Sequence, residues 1–151
     1  MRFIDQLAEL GACHRAIAWA GNRSLDEAWS TCDRGDWMAW LCGRVLPATD
    51  LRHVLDHVVL YAIIGGANAY AAAYAADGEY AASVAFRAAM DDDGEYAAAA
   101  SASVCAHATR ATRANATYGA YVAANADLAE IIRGNASLDA LRSAITTRSN
   151  Q

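Results

Sequence analysis

Residues 67–126 constrain the fold of this chain more than any other stretch, because 26 of these 60 residues are alanine. Alanine has the highest helix propensity of all residues, and its small side chain lets neighbouring helix axes approach closely. The stretch therefore predicts three Ala/Tyr-rich antiparallel helices over about 67–76, 79–90 and 94–125, with a kink near Gly119. Low-complexity disorder is the alternative, which the regular tyrosine spacing and the helix caps argue against.

Two copies of a short unit, Asp-Gly-Glu-Tyr-Ala-Ala, begin at Asp77 and Asp93. Each copy predicts a turn, then an acidic first helical turn, where the helix dipole favours negative charge. Residues 77–95, which include both units, contain six acidic residues and one basic residue, Arg87. The acidic residues of this segment are Asp77, Glu79, Asp91, Asp92, Asp93 and Glu95. The segment carries the whole net charge of −5, since the other acids and arginines cancel. We predict that these six residues form a joint acidic surface that contacts a basic protein partner. Reversing the charges of Asp91, Asp92 and Asp93 is then expected to abolish binding without lowering the melting temperature.

The N-terminal part, residues 1–66, contains all four tryptophans of the chain. Ser24 and Glu27 form the pattern of a capping box, which predicts a helix beginning at that point. The run Asp33-Arg34-Gly35 interrupts this helix, and Asp36 is placed to cap the next one. Trp37 and Trp40 share one face of that second helix, so we predict that they lie in the core, with exposed binding hot spots as the alternative.

Two further helices follow from the same kind of pattern. A helix from about Leu51 to Gly65 ends in the sequence VVLYAII, which is apolar all round and is typical of the most buried helix of a bundle. Near the C-terminus, Gly134-Asn135 stops a helix and Ser137 caps a short amphipathic one. The sequence as a whole predicts an all-α single-domain bundle over residues 1–151, with a Trp-rich half (1–66) and an Ala-rich half (67–151).

Composition argues against several classes of partner and location. The acidic balance disfavours nucleic acid, whose phosphates need basic contacts. The longest apolar run, Val58 to Ile64, is too short to span a membrane, and no signal-peptide pattern opens the chain. The four cysteines show no paired spacing, so we expect reduced thiols in the cytoplasm.

Few residues have the spacing of a catalytic or metal site. His53 and His57 lie four apart on one helical face, which suits two zinc ligands, and Cys105 with His107 is a conceivable complement. Partly buried, hydrogen-bonded histidines are the simpler interpretation. The acids at 91–95 lack the spacing of a calcium loop. No nucleophile elbow, phosphate loop or dinucleotide motif is present, so we assign no catalytic residue, metal or cofactor.

Several short motifs in the first forty or so residues resemble one family. These are Gly11-Ala12-Cys13, Ala18-Trp19-Ala20, residues 24–29 (SLDEAW), residues 32–38 (CDRGDWM) and Trp40-Leu41. They are similar to small bacterial and phage immunity proteins of the Imm-5-like type, in which a Trp-rich part precedes a long Ala/Tyr/Asp region and a short closing helix. The resemblance implies binding of another protein, such as a toxin, and brings no catalytic residues with it.

We therefore expect a non-enzymatic protein-binding module that neutralises a partner, either an immunity-like protein facing a basic toxin or a phage counter-defence inhibitor. A structural or self-assembling helical protein, acting as a homo-oligomer, is the alternative. A metal-dependent enzyme is a third hypothesis.

Overall fold

A computed structural model of the protein describes residues 1–65, 69–113 and 118–149. These residues form α-helices and no strand, which confirms the all-α prediction. The helices are α1 (Phe3–Glu9), α2 (His14–Ala20), α3 (Leu25–Thr31), α4 (Gly35–Val45), α5 (Ala48–Gly65), α6 (Ala69–Met90), α7 (Gly94–Arg113), α8 (Tyr118–Asn135) and α9 (Leu138–Ser149). No helix within the described ranges is both long enough and apolar enough to cross a bilayer.

Helix α7 lies at the centre of the bundle and contacts α4, α5, α6 and α8. It can do so because small residues line its buried faces, among them Ala97, Ala98, Ser101 and Ala108. The crossing with α4 is close at Gly43. A Cβ atom at this position would come within 2.6 Å of the Ala97 carbonyl oxygen and 2.8 Å of the Ala98 Cα. The small side chains of α7 therefore set how closely α4 can pack on it.

The predicted single helix over 94–125 is wrong, because this stretch contains two helices, α7 and α8, that pack against each other. Gly35 contacts both helices: the Cys105 thiol lies 3.5 Å from its carbonyl oxygen, and Leu128 packs against its Cα. In one straight helix Cys105 and Leu128 would be about 35 Å apart. The predicted kink at Gly119 concerns a residue whose surroundings lie outside the described part of the chain.

The predicted turn at Asp77-Gly78 is also wrong, since α6 runs through it without interruption. The buried positions of α6 include Ala71, Ala75, Gly78, Ala82 and Ala85, and their alternating spacing of four and three residues is a continuous helical seam. A Cβ at Gly78 would meet the Cβ of His107 at 3.6 Å. Gly78 thus lies on a packed face of α6, where it is part of the seam with α7.

Helix α5 is less buried than its composition predicts. Its Val54, Leu55 and Val58 are in the core, but Leu60 and Ile63 are about half exposed and Ile64 is 75% exposed. The expectation that VVLYAII forms the most buried segment is therefore wrong. Helix α7 takes that position, because α4 and α6 pack extensively on it, whereas the last turns of α5 leave Leu60, Ile63 and Ile64 exposed.

The short N-terminal helices are held to the bundle by arginines. The predicted capping box of α3 is confirmed: the Ser24 amide donates to Glu27, and the Glu27 amide donates to the Ser24 hydroxyl. At the other end of α3, Arg133 from α8 donates to the carbonyl oxygens of Trp29 and Cys32. Arg44 of α4 donates to the Leu10 carbonyl oxygen over 2.9 Å. Guanidinium groups at helix C-termini satisfy carbonyls that have no partner within their helix.

The tryptophans divide between core and partial exposure. Trp29 is buried, whereas Trp37 and Trp40 are half-buried and pack against the core from one side. Asp36 does not cap α4 as predicted, because the helix begins one residue earlier at Gly35. Its carboxylate instead accepts hydrogen bonds from Arg34 and from the side-chain amide of Asn125 on α8. Downstream, the cap at Ser137 is confirmed by its hydrogen bond from the Ala140 amide.

Candidate functional site

A surface groove of about 480 Å³ lies along α6 and the start of α7. The residues that line this α6–α7 groove are Tyr80, Ser83, Val84, Arg87, Ala88, Asp91, Asp93 and Tyr96. It contains two of the six acidic residues that the sequence indicates as a contact surface, and Glu79 and Glu95 are chain neighbours of its tyrosines. We take this groove as the candidate site.

Two tyrosines give the groove its exposed apolar area. Tyr80 is 74% exposed and Tyr96 is 59% exposed, and Met90 between them in the chain is 65% exposed. Tyrosine and methionine are enriched at protein interfaces relative to the rest of the surface. A tyrosine also loses little conformational entropy when it is covered, because it has few rotatable bonds.

The turn that closes the groove has a defined geometry. Helix α6 ends with hydrogen bonds from the Asp93 amide to the Ala88 carbonyl and from the Asp92 amide to the Ala89 carbonyl, which is the pattern of a Schellman motif. Asp92 occupies the left-handed position of that motif with φ of 57°. The Asp93 side chain then accepts from the Tyr96 amide at 3.0 Å and so caps α7.

Two of the three carboxylates of the 91–93 turn already have partners within the protein. Arg148 of α9 lies 3.1 Å from the Asp92 carboxylate. Asp93 faces the positive end of the α7 dipole. Asp91, by contrast, is exposed and forms no ion pair with any described residue. The carboxylates of Glu79 and Glu95 are likewise exposed and unpaired among the described residues, so negative charge is left over around the groove.

The structure does not bring the two acidic units together. Because α6 is continuous, Asp77 lies about 20 Å along the helix axis from the 91–93 turn. Neither Asp77 nor Glu79 lines the groove, although Tyr80, which follows Glu79 in sequence, does. The expectation that the Asp77 and Asp93 units form one joint surface is therefore wrong for Asp77. Whether any of the six residues contacts a partner stays a prediction.

The histidine pair has the predicted spacing but no further ligands. The rings of His53 and His57 are 4.7 Å apart, and His57 Nδ1 lies 2.8 Å from the His53 carbonyl oxygen. No group of three or more potential metal ligands occurs within the described residues. His107 lies elsewhere, 6.5 Å from the ring of Tyr74, and Cys105 points instead at the Gly35 carbonyl.

The buried thiols, and the carboxylates of the N-terminal part, have roles in packing and in contacts within the protein. Burial raises the pKa of the Cys42 thiol to about 12, and it raises the pKa values of Cys32 and Cys105 as well. These thiols stay protonated and unreactive at neutral pH. Burial opposes ionisation of Asp36 too, but the hydrogen bond and charge of Arg34 hold its pKa below the usual value. Asp26 pairs with Arg142, and Glu27 belongs to the capping box.

The two exposed tyrosines are the residues that the sequence prediction missed. It assigned neither Tyr80 nor Tyr96 to the contact surface. A usable signal was nevertheless present, because the small-residue seam of α6 passes through Gly78 and Ala82 and leaves Tyr80 on the opposite side. In α7 the seam through Ala97 and Ser101 leaves Tyr96 outside in the same way.

Comparisons with protein-family models, with curated proteins and with solved structures found no significant match. The resemblance of the Trp-rich motifs to Imm-5-like immunity proteins therefore stays a prediction. The candidate site is argued from its geometry alone.

Proposed function

We propose that this chain is a non-enzymatic binding protein that neutralises a basic protein partner through the α6–α7 groove. The observation that carries the proposal is the combination of two exposed tyrosine rings with the unpaired carboxylate of Asp91 in one groove. Glu79 and Glu95 precede the two tyrosines in sequence and add negative charge. The resemblance to immunity proteins supports a toxin as the partner, and a phage counter-defence inhibitor is the closest variant. The four cysteines form no disulfide, in keeping with a location in the cytoplasm.

Arginine and lysine side chains of a partner fit this groove for two reasons. Their cationic groups are attracted to the faces of tyrosine rings, with a gain of about 0.5–2 kcal/mol per contact depending on desolvation. Their charge is also complementary to Asp91, Glu79 and Glu95, which raises the rate of encounter. Arg87 lies in the groove as well, so an acidic group on the partner opposite it would fix the orientation.

Site-specific photo-crosslinking in cells tests this proposal. A photoreactive phenylalanine analogue replaces Tyr96 in one variant and Ala106 in a control variant. Ala106 is exposed on the same helix about 15 Å further along, so the two variants differ in position and not in chemistry. We expect one basic protein to be crosslinked from position 96 and not from position 106. An equal adduct from both positions, or none from position 96, would contradict the proposal.

Self-assembly is the second candidate, and the exposed end of α5 favours it. Leu60, Ile63 and Ile64 lie at i, i+3 and i+4 and form one apolar face that a second copy of the chain could cover. Light scattering during size-exclusion chromatography distinguishes this candidate. A dimer that dissociates in the Ile64→Glu variant would support it, and a monomer at all accessible concentrations would exclude it.

A further inference from the structure

A second cavity, separate from the α6–α7 groove, lies among α1, α2, α3 and α4 and has a volume of about 270 Å³. All four tryptophans line it, together with aliphatic residues of the short N-terminal helices. Trp19 and Trp37 approach each other there, with ring centroids 6.0 Å apart and planes inclined by 59°. The cavity is open on one side, so its apolar walls lack dispersion contacts that an occupant would supply.

The charges around this cavity argue for a neutral occupant. Asp36 is the one carboxylate in its lining, and Arg34 neutralises it at 2.7 Å. Arginine side chains already cover faces of two of the rings: Arg34 lies 4.2 Å from the Trp37 ring centroid, and Arg23 lies 4.8 Å from that of Trp19. The positions that a cationic ligand would take on these two rings are therefore filled from within the chain.

The size of the cavity sets the size of the occupant. A cavity of about 150 Å³ holds one benzene ring, so a space of 270 Å³ accommodates about two rings, and its open side leaves room for a third. Flat rings suit walls of tryptophan, since offset and edge-to-face contacts between aromatic groups add to the gain from apolar burial. An aliphatic chain would fill the volume without those contacts.

We propose that the cavity is a binding site for a neutral, flat, aromatic small molecule of two or three rings. The ligand lies against Trp19, Trp37 and Trp40 and is enclosed by the short helices α1 and α2. The site is independent of protein binding at the α6–α7 groove, so either one can be correct without the other.

Titration with N-phenyl-1-naphthylamine, a neutral aromatic dye that fluoresces in apolar surroundings, tests the proposal. We expect saturable binding of one dye per chain, with quenching of tryptophan emission by energy transfer. Ala16 lines the cavity and Ala18 is exposed on the same helix, so Ala16→Phe and Ala18→Phe are a matched pair. Filling the cavity with Ala16→Phe should weaken dye binding by at least about tenfold. The Ala18→Phe variant should bind the dye like the wild type.

Equal binding by the two variants would place the dye elsewhere, for example on the exposed end of α5, and would overturn the proposal. Absence of saturable binding to the wild type would do the same. Cys13 provides a second readout that does not depend on a variant folding. It lines the cavity and is the exposed one of the four cysteines. The dye should slow its alkylation by N-ethylmaleimide, and an unchanged rate would count against the site.

Discussion

Asp36 shows how one residue joins the two halves of the chain. Its carboxylate accepts from Arg34 beside it in sequence and from Asn125 on α8, while the Asn125 side-chain oxygen accepts from the Asp36 amide at 3.1 Å. The sequence indicated a helix cap at this position, which is a purely local role. The actual role depends on α8, whose approach to α4 is a tertiary contact that local patterns do not contain.

The pH dependence of unfolding tests this role of Asp36. The folded-state pKa of Asp36 is lowered, so its contribution to stability is complete above the unfolded pKa of about 3.9 and is lost as the pH falls through the folded pKa. At neutral pH the Asp36→Asn variant should be less stable than the wild type by about 1–2 kcal/mol. That difference should shrink below about pH 4, as measured by urea unfolding. The exposed neighbour substitution Asp33→Asn is the control, and a difference that stays constant with pH would contradict this account.

Two glycines test the close packing of α4 on α7. A methyl group at Gly43 would meet Ser101 and the backbone of α7, whereas one at Gly134 would meet nothing within 4 Å. Gly43→Ala should therefore destabilise the protein by about 1–3 kcal/mol through overpacking. Gly134→Ala should stabilise it by about 0.4–1 kcal/mol, since it restricts the unfolded chain. Thermal unfolding followed by circular dichroism measures both, and a stabilising effect of Gly43→Ala would show that the crossing is looser than described.

At the scale of the element, α6 shows what sequence patterns could and could not predict. The same Asp-Gly-Glu-Tyr unit is a turn and helix cap at Asp93 and part of a continuous helix at Asp77. Local propensity favours a turn at both. The difference lies in the preceding residues, because Ala75 and Ala76 continue a helix whereas Asp91 and Asp92 end one. The small-residue seam through Gly78 was visible in the sequence, but the contact of Gly78 with His107 on α7 was not.

Because the Asp93 copy of the unit is a helix cap, the three aspartates of the acidic turn are not expected to contribute equally to stability. Asp93 caps α7, so Asp93→Ala should cost about 0.5–2 kcal/mol of stability. Asp91 is exposed and unpaired among the described residues, so Asp91→Ala should change stability by less than about 0.5 kcal/mol. Chemical unfolding of both variants checks this. Equal stability of the two would contradict the cap and restore the original expectation that the three aspartates can be reversed without loss.

At the scale of the whole molecule, the all-α class and helix starts such as that of α3 followed from caps and apolar periodicity. The number and order of the C-terminal helices did not. Alanine favours helix everywhere, so it marks neither where a helix ends nor which helix becomes central. The candidate groove was predicted in part, through Asp91 and Asp93. The small-residue seams place Tyr80 and Tyr96 on outer faces of their helices, but only the packing of α6 against α7 brings the two into one groove.

Affinity purification from the source cells, quantified by mass spectrometry, tests the central claim most directly. Three baits are compared: the wild type, the groove variant Tyr80→Ala/Tyr96→Ala, and the surface control Leu60→Ala/Ile64→Ala. We predict that the wild type and the control retain one basic protein in stoichiometric amount. The amount of this protein retained by the groove variant should be lower by at least about tenfold, as expected when hot-spot side chains are truncated. Equal retention by all three baits would contradict the assignment of the groove, and recovery of the bait protein alone would contradict the binding function.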